Sequence, residues 1–170
     1  MKDSIRIIRR WLLFFMLSLL LSGLTVLPLQ TELDMLARSF SPDSALGQWF
    51  EAVRDAWSNT NGRYSFLAYG YDWLAFAHLV IALLFIGVYR DPVRNRWIIE
   101  WAMICCLLII PVALLAGYFR SIPFWWRLID CSFGILGLIP LSICHSCICE
   151  LEEAEKTNAL TINEHAYDFR

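Results

Sequence analysis

Four ionisable side chains stand within or at the mouth of long apolar runs, Asp72 and His78 in one and Arg127 and Asp130 in another. Ionisable groups are expensive there, and they face a bundle interior or a cavity rather than lipid. Counted from the ends at which the two runs would enter, His78 lies about eight residues below Gly70, or ~12 Å, and Asp130 about six below Phe124, or ~9 Å. The depths nearly match. Arg127 and Asp130 are three apart and share a helix face, while Asp72 lies higher on its own run. The natural pairing joins Asp130 to His78 and Arg127 to Asp72 or Asp130, each charge sparing another an unpaired place in low dielectric. Two roles fit such a set. One is a ligand-binding or proton-relay site, for a polar or anionic headgroup, walled by Tyr69, Tyr71 and Trp126. The other is an interhelical clamp that neutralises itself and does no chemistry.

A second group lies at the opposite end of the later run: Cys144, His145, Cys147 and Cys149. Thiols and an imidazole at C-x-x-C spacing are soft-metal ligand types, and a thiolate pair also does redox chemistry. A zinc site needs a second ligand pair, and the further histidine, His165, lies on a polar tail. The expectation is therefore no metal, with these four residues as the only candidates, at an apolar helix end that tolerates cysteine. His78 and His145 differ by ~20 Å in depth, too far to share one haem. A Gly-rich phosphate loop, an H-E-x-x-H pair and a Ser-His-Asp set at one depth are all absent from the sequence. No cofactor is expected.

Positioning these groups requires helices that cross a membrane. The run Tyr69–Pro92 holds about 20 mostly apolar residues, enough for a hydrocarbon core of ~30 Å. Three more runs read the same way, giving spans at about 11–29, 70–89, 97–119 and 124–147. The first follows the basic segment MKDSIRIIRR; it is longer than a usual signal-peptide core and no A-x-A-like cleavage site follows, so it reads as a retained anchor. Ser18, Ser22 and Thr25 mark one face of it as a packing face. In span 3, Glu100 is placed to meet Arg90, Arg94 or Arg96 and Pro111 to bend the helix. In span 4, Cys131, Gly134 and Gly137 form a small-residue stripe suited to close helix contact.

Between spans 1 and 2 the chain turns polar but keeps a helical rhythm. Thr31 and Asp34 suggest the start of one short helix, and Ser41-Pro42-Asp43 the N-cap and first turn of a second, which carries Leu46, Trp49, Phe50, Val53 and Trp57 at three- and four-residue steps. That stripe either covers apolar helix ends or lies in the membrane interface.

Composition sets the class. Of 170 residues, 58% are hydrophobic and 18% charged, with a mean hydropathy of +0.53; soluble domains carry roughly a quarter charged residues. A net charge of -2 argues against binding nucleic acid, which needs concentrated positive charge. None of the six cysteines falls in the 30–66 loop, so a disulfide-stapled outer domain is not expected. Basic residues cluster before span 1 and between spans 2 and 3, which puts both termini in the cytoplasm and the 30–66 loop outside. In a bacterium the membrane would be the plasma membrane. The fold expected is all-α: a four-transmembrane-helix bundle with a short amphipathic helical region in the outer loop. Residues 1–149 form the membrane domain and 150–170 an acidic, partly disordered cytoplasmic tail. The leading functional expectation is non-catalytic, either binding a lipid-like or amphiphilic ligand or serving as a subunit beside other membrane proteins. The alternative is a membrane enzyme or proton-coupled carrier that uses the outer Asp/His/Arg set.

Overall fold

The computed structural model describes the backbone of residues 2–168 and the side chains of residues 3–157. Its regular elements are helices throughout: α1 (Lys2–Val26), α2 (Leu29–Ser39), α3 (Ala45–Arg63), a 3₁₀ turn (Ser65–Ala68), α4 (Tyr69–Arg90), α5 (Arg96–Phe119) and α6 (Phe124–Asp168). Among them α1, α4, α5 and α6 are long and apolar enough to cross a membrane, and the chain is an integral membrane protein of all-α fold. Large apolar side chains such as Phe14, Leu21, Trp73, Ile104, Phe119 and Phe133 are exposed, as they are where the surrounding solvent is lipid rather than water. The chain divides into two compact units, Met1–Met16 with Leu84–Arg170, and Leu17–Leu83.

In the first unit the N-terminal part of α1, the C-terminal part of α4, α5 and α6 share a core of Ile8, Leu12, Phe85, Val88, Ile98, Ile99, Leu141, Cys144 and Ile148. Phe15 meets Phe85 edge-on, with ring centroids 5.1 Å apart, and Arg9 lies over the Tyr89 ring at 5.3 Å. The Cys144 thiol reaches the Ile8 carbonyl at 3.7 Å. These contacts bring the basic end of α1, the last turn of α4 and the C-terminal part of the α6 span to one level. The closest seam is between α5 and α6. A Cβ at Gly134 would lie 2.5 Å from the Cys106 carbonyl oxygen, and one at Gly137 would lie 2.9 Å from the Cys106 sulfur. The Cys131 thiol reaches the Ile110 carbonyl at 3.9 Å, so the small-residue stripe is where the two backbones approach.

The turn between α5 and α6 follows from helix-end chemistry. The amides of Arg120 and Ile122 reach back to the Ala116 and Gly117 carbonyls at 3.0 and 2.9 Å, satisfying carbonyls that the helix leaves open. Ser121 takes a φ of 55° to do so. At the other end of α5, Asn95 donates to the carbonyls of Gly87 and Asp91 at 3.1 and 2.9 Å and so fixes the α4–α5 connection.

The second unit holds the rest of α1, then α2, α3 and the first turns of α4. α2 and α3 pack on each other through stacked rings of Phe40 and Phe50, 5.4 Å apart, and a bond from Ser58 Oγ to Gln30 Oε1 of 3.0 Å. Three sequence expectations are corrected here. α2 begins at Leu29 rather than at a Thr31 cap: Pro28 stands at the cap position with no side-chain capping bond, where its missing N–H costs nothing. α3 is capped by Ser44, not Ser41, with Ser44 Oγ accepting from the Gly47 amide at 3.0 Å. Ser41 instead closes the preceding turn, its carbonyl accepting from both the amide and the hydroxyl of Ser44, and a Cβ at Gly47 would run into that carbonyl. Lastly, Ser18, Ser22 and Thr25 are exposed, and Thr25 bonds back to the Ser22 carbonyl at 3.0 Å. The buried position on this part of α1 is Gly23, because absence of a side chain admits a neighbour more closely than a hydroxyl does.

Candidate functional site

Asp72 and His78 fall in the second unit, Arg127 and Asp130 in the first. In the second, His78 packs against α1: a Cβ on Gly23 would lie 2.8 Å from that of His78. Its Nδ1 is 2.8 Å from the Leu74 carbonyl, one turn earlier on α4. A carbonyl only accepts, so Nδ1 carries the proton of this bond. One ring nitrogen of the expected relay is thus committed to its own helix.

Asp72 sits in the first turn of α4, where a carboxylate is favoured by the helix dipole. With Tyr69, Trp73 and Phe76 it lines an open groove of about 190 Å³. The spacing 69, 72, 73, 76 is one helix face. The Tyr69 and Trp73 rings stand edge to face at 6.0 Å, as do Trp73 and Phe76 at 5.7 Å. Tyr71 is not a wall of this groove. It points to α3, where its ring meets Trp57 edge-on at 4.9 Å and braces the amphipathic loop helix against α4.

In the first unit, Arg127 lies on α6 close to Gly117 of α5, whose added Cβ would overlap the arginine stem. Nη1 of Arg127 is 3.4 Å from the Leu114 carbonyl, the guanidinium lies over the Phe124 ring at 5.2 Å, and Nε is buried without an acceptor. A cation at the C-terminal end of α5 meets the negative end of that helix. Asp130 is half-buried one turn further along, and Arg127 does not pair with it. Trp126 packs edge-on against Trp125 at 5.7 Å.

The densest polar cluster joins α5 and α6 at the opposite end of the first unit. Glu100 Oε1 accepts from Arg96 Nε at 2.7 Å and meets His145 Nε2 at 3.3 Å. Arg96 Nη1 donates to Glu152 Oε2 at 2.8 Å, and Lys156 Nζ to Glu152 Oε1 at 3.2 Å. The Cys149 sulfur lies 3.9 Å from His145 Nδ1. Of the three arginines named for Glu100, the partner is Arg96, four residues back on the same helix. The wider network was not read from the sequence, although the signal was there. Glu100 precedes Arg120 by 20 positions and His145 follows Phe124 by 21, so a tight turn between two antiparallel helices puts both at one level.

This network ties the acidic start of the tail to the membrane domain. α6 runs without a break past the end of span 4 to Asp168, with Leu151 buried and Glu152 held by Arg96. His165 lies outside the residues whose side chains are described. All six cysteines are free. Cys144 is fully buried in the core, on a different face from Cys149. Among the described residues, no three His, Cys, Asp or Glu side chains gather closely enough to hold a metal ion. No family model, curated protein or solved structure matches this chain.

Proposed function

We propose that this chain is a non-catalytic, multi-pass membrane protein that holds an amphiphile with a cationic headgroup at the outer end of α4. The observation that carries this reading is the groove of Tyr69, Asp72, Trp73 and Phe76. The groove is walled almost wholly by apolar atoms of its aromatic residues, and Asp72 on the same helix face sets a negative charge at its edge; together they suit an ammonium group, which gains from ring faces and from nearby negative charge, while the acyl chains follow the exposed apolar flank of α4. Asp72 has no hydrogen bond or ion pair within its unit that would compete. An enzyme or proton-coupled carrier built on His78 and Arg127 has less support, since the bonds of both side chains go to backbone carbonyls.

Native mass spectrometry on protein in an uncharged detergent tests this directly. Dioleoylphosphatidylethanolamine is expected to be retained over dioleoylphosphatidylglycerol. Asp72→Asn or Trp73→Leu should each weaken retention by about tenfold, the equivalent of ~1.4 kcal/mol. Equal retention of the two lipids, or an Asp72→Asn variant that binds as wild type does, would reject the headgroup reading.

In the orientation we infer, both termini are cytoplasmic and the α2–α3 loop is outside. Lys2, Arg6, Arg9 and Arg10 precede span 1, and Arg90, Arg94 and Arg96 surround the α4–α5 connection, whereas the α5–α6 turn has Arg120 alone. The Arg9–Tyr89 contact is in keeping with the two basic segments sharing a side. In intact cells, cysteine introduced at exposed Ser58 should react with an impermeant maleimide, and cysteine introduced at exposed Glu153 should react only after lysis. The opposite pattern reverses the orientation and moves the groove to the inner leaflet.

A further inference from the structure

We infer that Cys149 is a nucleophilic thiol that accepts a fatty acyl group from a long-chain acyl thioester. The inference is independent of the groove on α4. It rests on Cys149, His145 and Glu100 standing in line: sulfur to Nδ1 at 3.9 Å, then Nε2 to carboxylate at 3.3 Å.

The order of these contacts sets the direction of proton movement. A carboxylate accepts, so Glu100 fixes the ring proton on Nε2 and leaves Nδ1 as the lone-pair nitrogen facing the thiol. Arg96 in turn fixes Glu100, through the 2.7 Å bond from Nε. This is the arrangement of a nucleophile, a base and a group that orients the base; the sulfur contact is long at rest, as such contacts often are before substrate binds. His145 and Cys149 are four apart on α6, hence on one face. Both are only partly buried, so the thiol is accessible where the core cysteine Cys144 is not.

The surroundings select the substrate. Trp97, next to Arg96, and Trp101, next to Glu100, are exposed on α5, at a place where a span emerges and an acyl chain would enter the bilayer. In the reaction, the Cys149 proton passes to His145 Nδ1 and the sulfur attacks the acyl carbonyl carbon. A new carbon–sulfur bond forms, the carbon–sulfur bond to the carrier breaks, and the departing thiolate takes the proton from His145. No oxidant or reductant is consumed.

The test uses the full chain in detergent with an alkyne-tagged palmitoyl coenzyme A. The expected product is one hydroxylamine-labile acyl group per chain, on Cys149, lost in Cys149→Ser and kept in Cys147→Ser. His145→Gln should slow acylation at least tenfold and move the rising limb of the rate against pH to higher pH, an effect that loss of packing would not produce. A comparison inside the wild-type chain needs no variant: iodoacetamide at neutral pH should modify Cys149 at least tenfold faster than Cys147. Acyl label spread over several cysteines, an unchanged pH profile in a folded His145→Gln protein, or equal alkylation of Cys147 and Cys149 would each overturn the inference.

Discussion

Replacing Gly134 with valine is expected to separate α5 from α6 and to leave little folded protein after extraction. Even the first carbon of a side chain there would lie 2.5 Å from the Cys106 carbonyl oxygen and 3.3 Å from the Ile109 Cβ. A backbone carbonyl cannot turn aside as a side chain can. Overpacking a tight core typically costs about 1–3 kcal/mol, and valine adds two further methyl groups to a site that rejects the first carbon. The penalty should therefore be roughly 3 kcal/mol or more, a large part of a stability that is commonly about 5–15 kcal/mol. Gly134→Ala should cost less, because alanine regains up to ~1 kcal/mol of helix propensity. Gly70 gives the control, since a Cβ there meets nothing within 4 Å, and Gly70→Ala should melt at or slightly above wild type. Thermal unfolding followed by size-exclusion chromatography reads all three. A Gly134→Val protein that melts with wild type would mean that α5 and α6 are held together elsewhere.

Gly117 and Arg127 should fail as a pair rather than independently. In Gly117→Ala the new methyl overlaps the arginine stem, which must swing away from the Leu114 carbonyl and from the face of Phe124. Arg127→Ala loses the same contacts by deletion, including the packing of the aliphatic stem. Each single variant is expected to lower the melting temperature. The double variant should lose much less than the sum, with a coupling of about 1–2 kcal/mol, as is usual for residues in direct contact. Additivity to within ~0.5 kcal/mol would show that the arginine rests on something other than α5.

The sequence made the membrane helices, the glycine seam and the pairing of Glu100 with one of three nearby arginines legible because each depends on local spacing. Hydrophobic run length needs no knowledge of neighbours, and Cys131, Gly134 and Gly137 mark a close face by size alone. The errors came where two local readings competed or where distance in sequence hid nearness in space. Ser41 and Ser44 both precede a plausible first turn, and only the backbone decides which hydroxyl reaches the Gly47 amide. Ser22 and Thr25 resemble packing residues as much as Gly23 does, and the choice depends on which face His78 occupies. Tyr71 and Tyr69 are two apart on the same helix, so they could not both wall one groove; the 100° step between residues was enough to separate them. Glu152 and its partner Arg96 are 56 positions apart, and no local spacing links them.

The Arg120–Pro123 turn also bears on the order in which the protein assembles. Closing a four-residue connection costs little chain entropy, and the seam begins within a few residues of it, at Gly117 and Arg127. Contacts can then zip outward from the turn, each one shortening the loop that the next must close. Ile8 instead waits for Cys144, 136 positions later. Because non-local contacts form more slowly than local ones, α5 and α6 are the first able to pair, as a hairpin joined by a short turn. α1, whose core contact lies 136 positions away, is among the last to find its place.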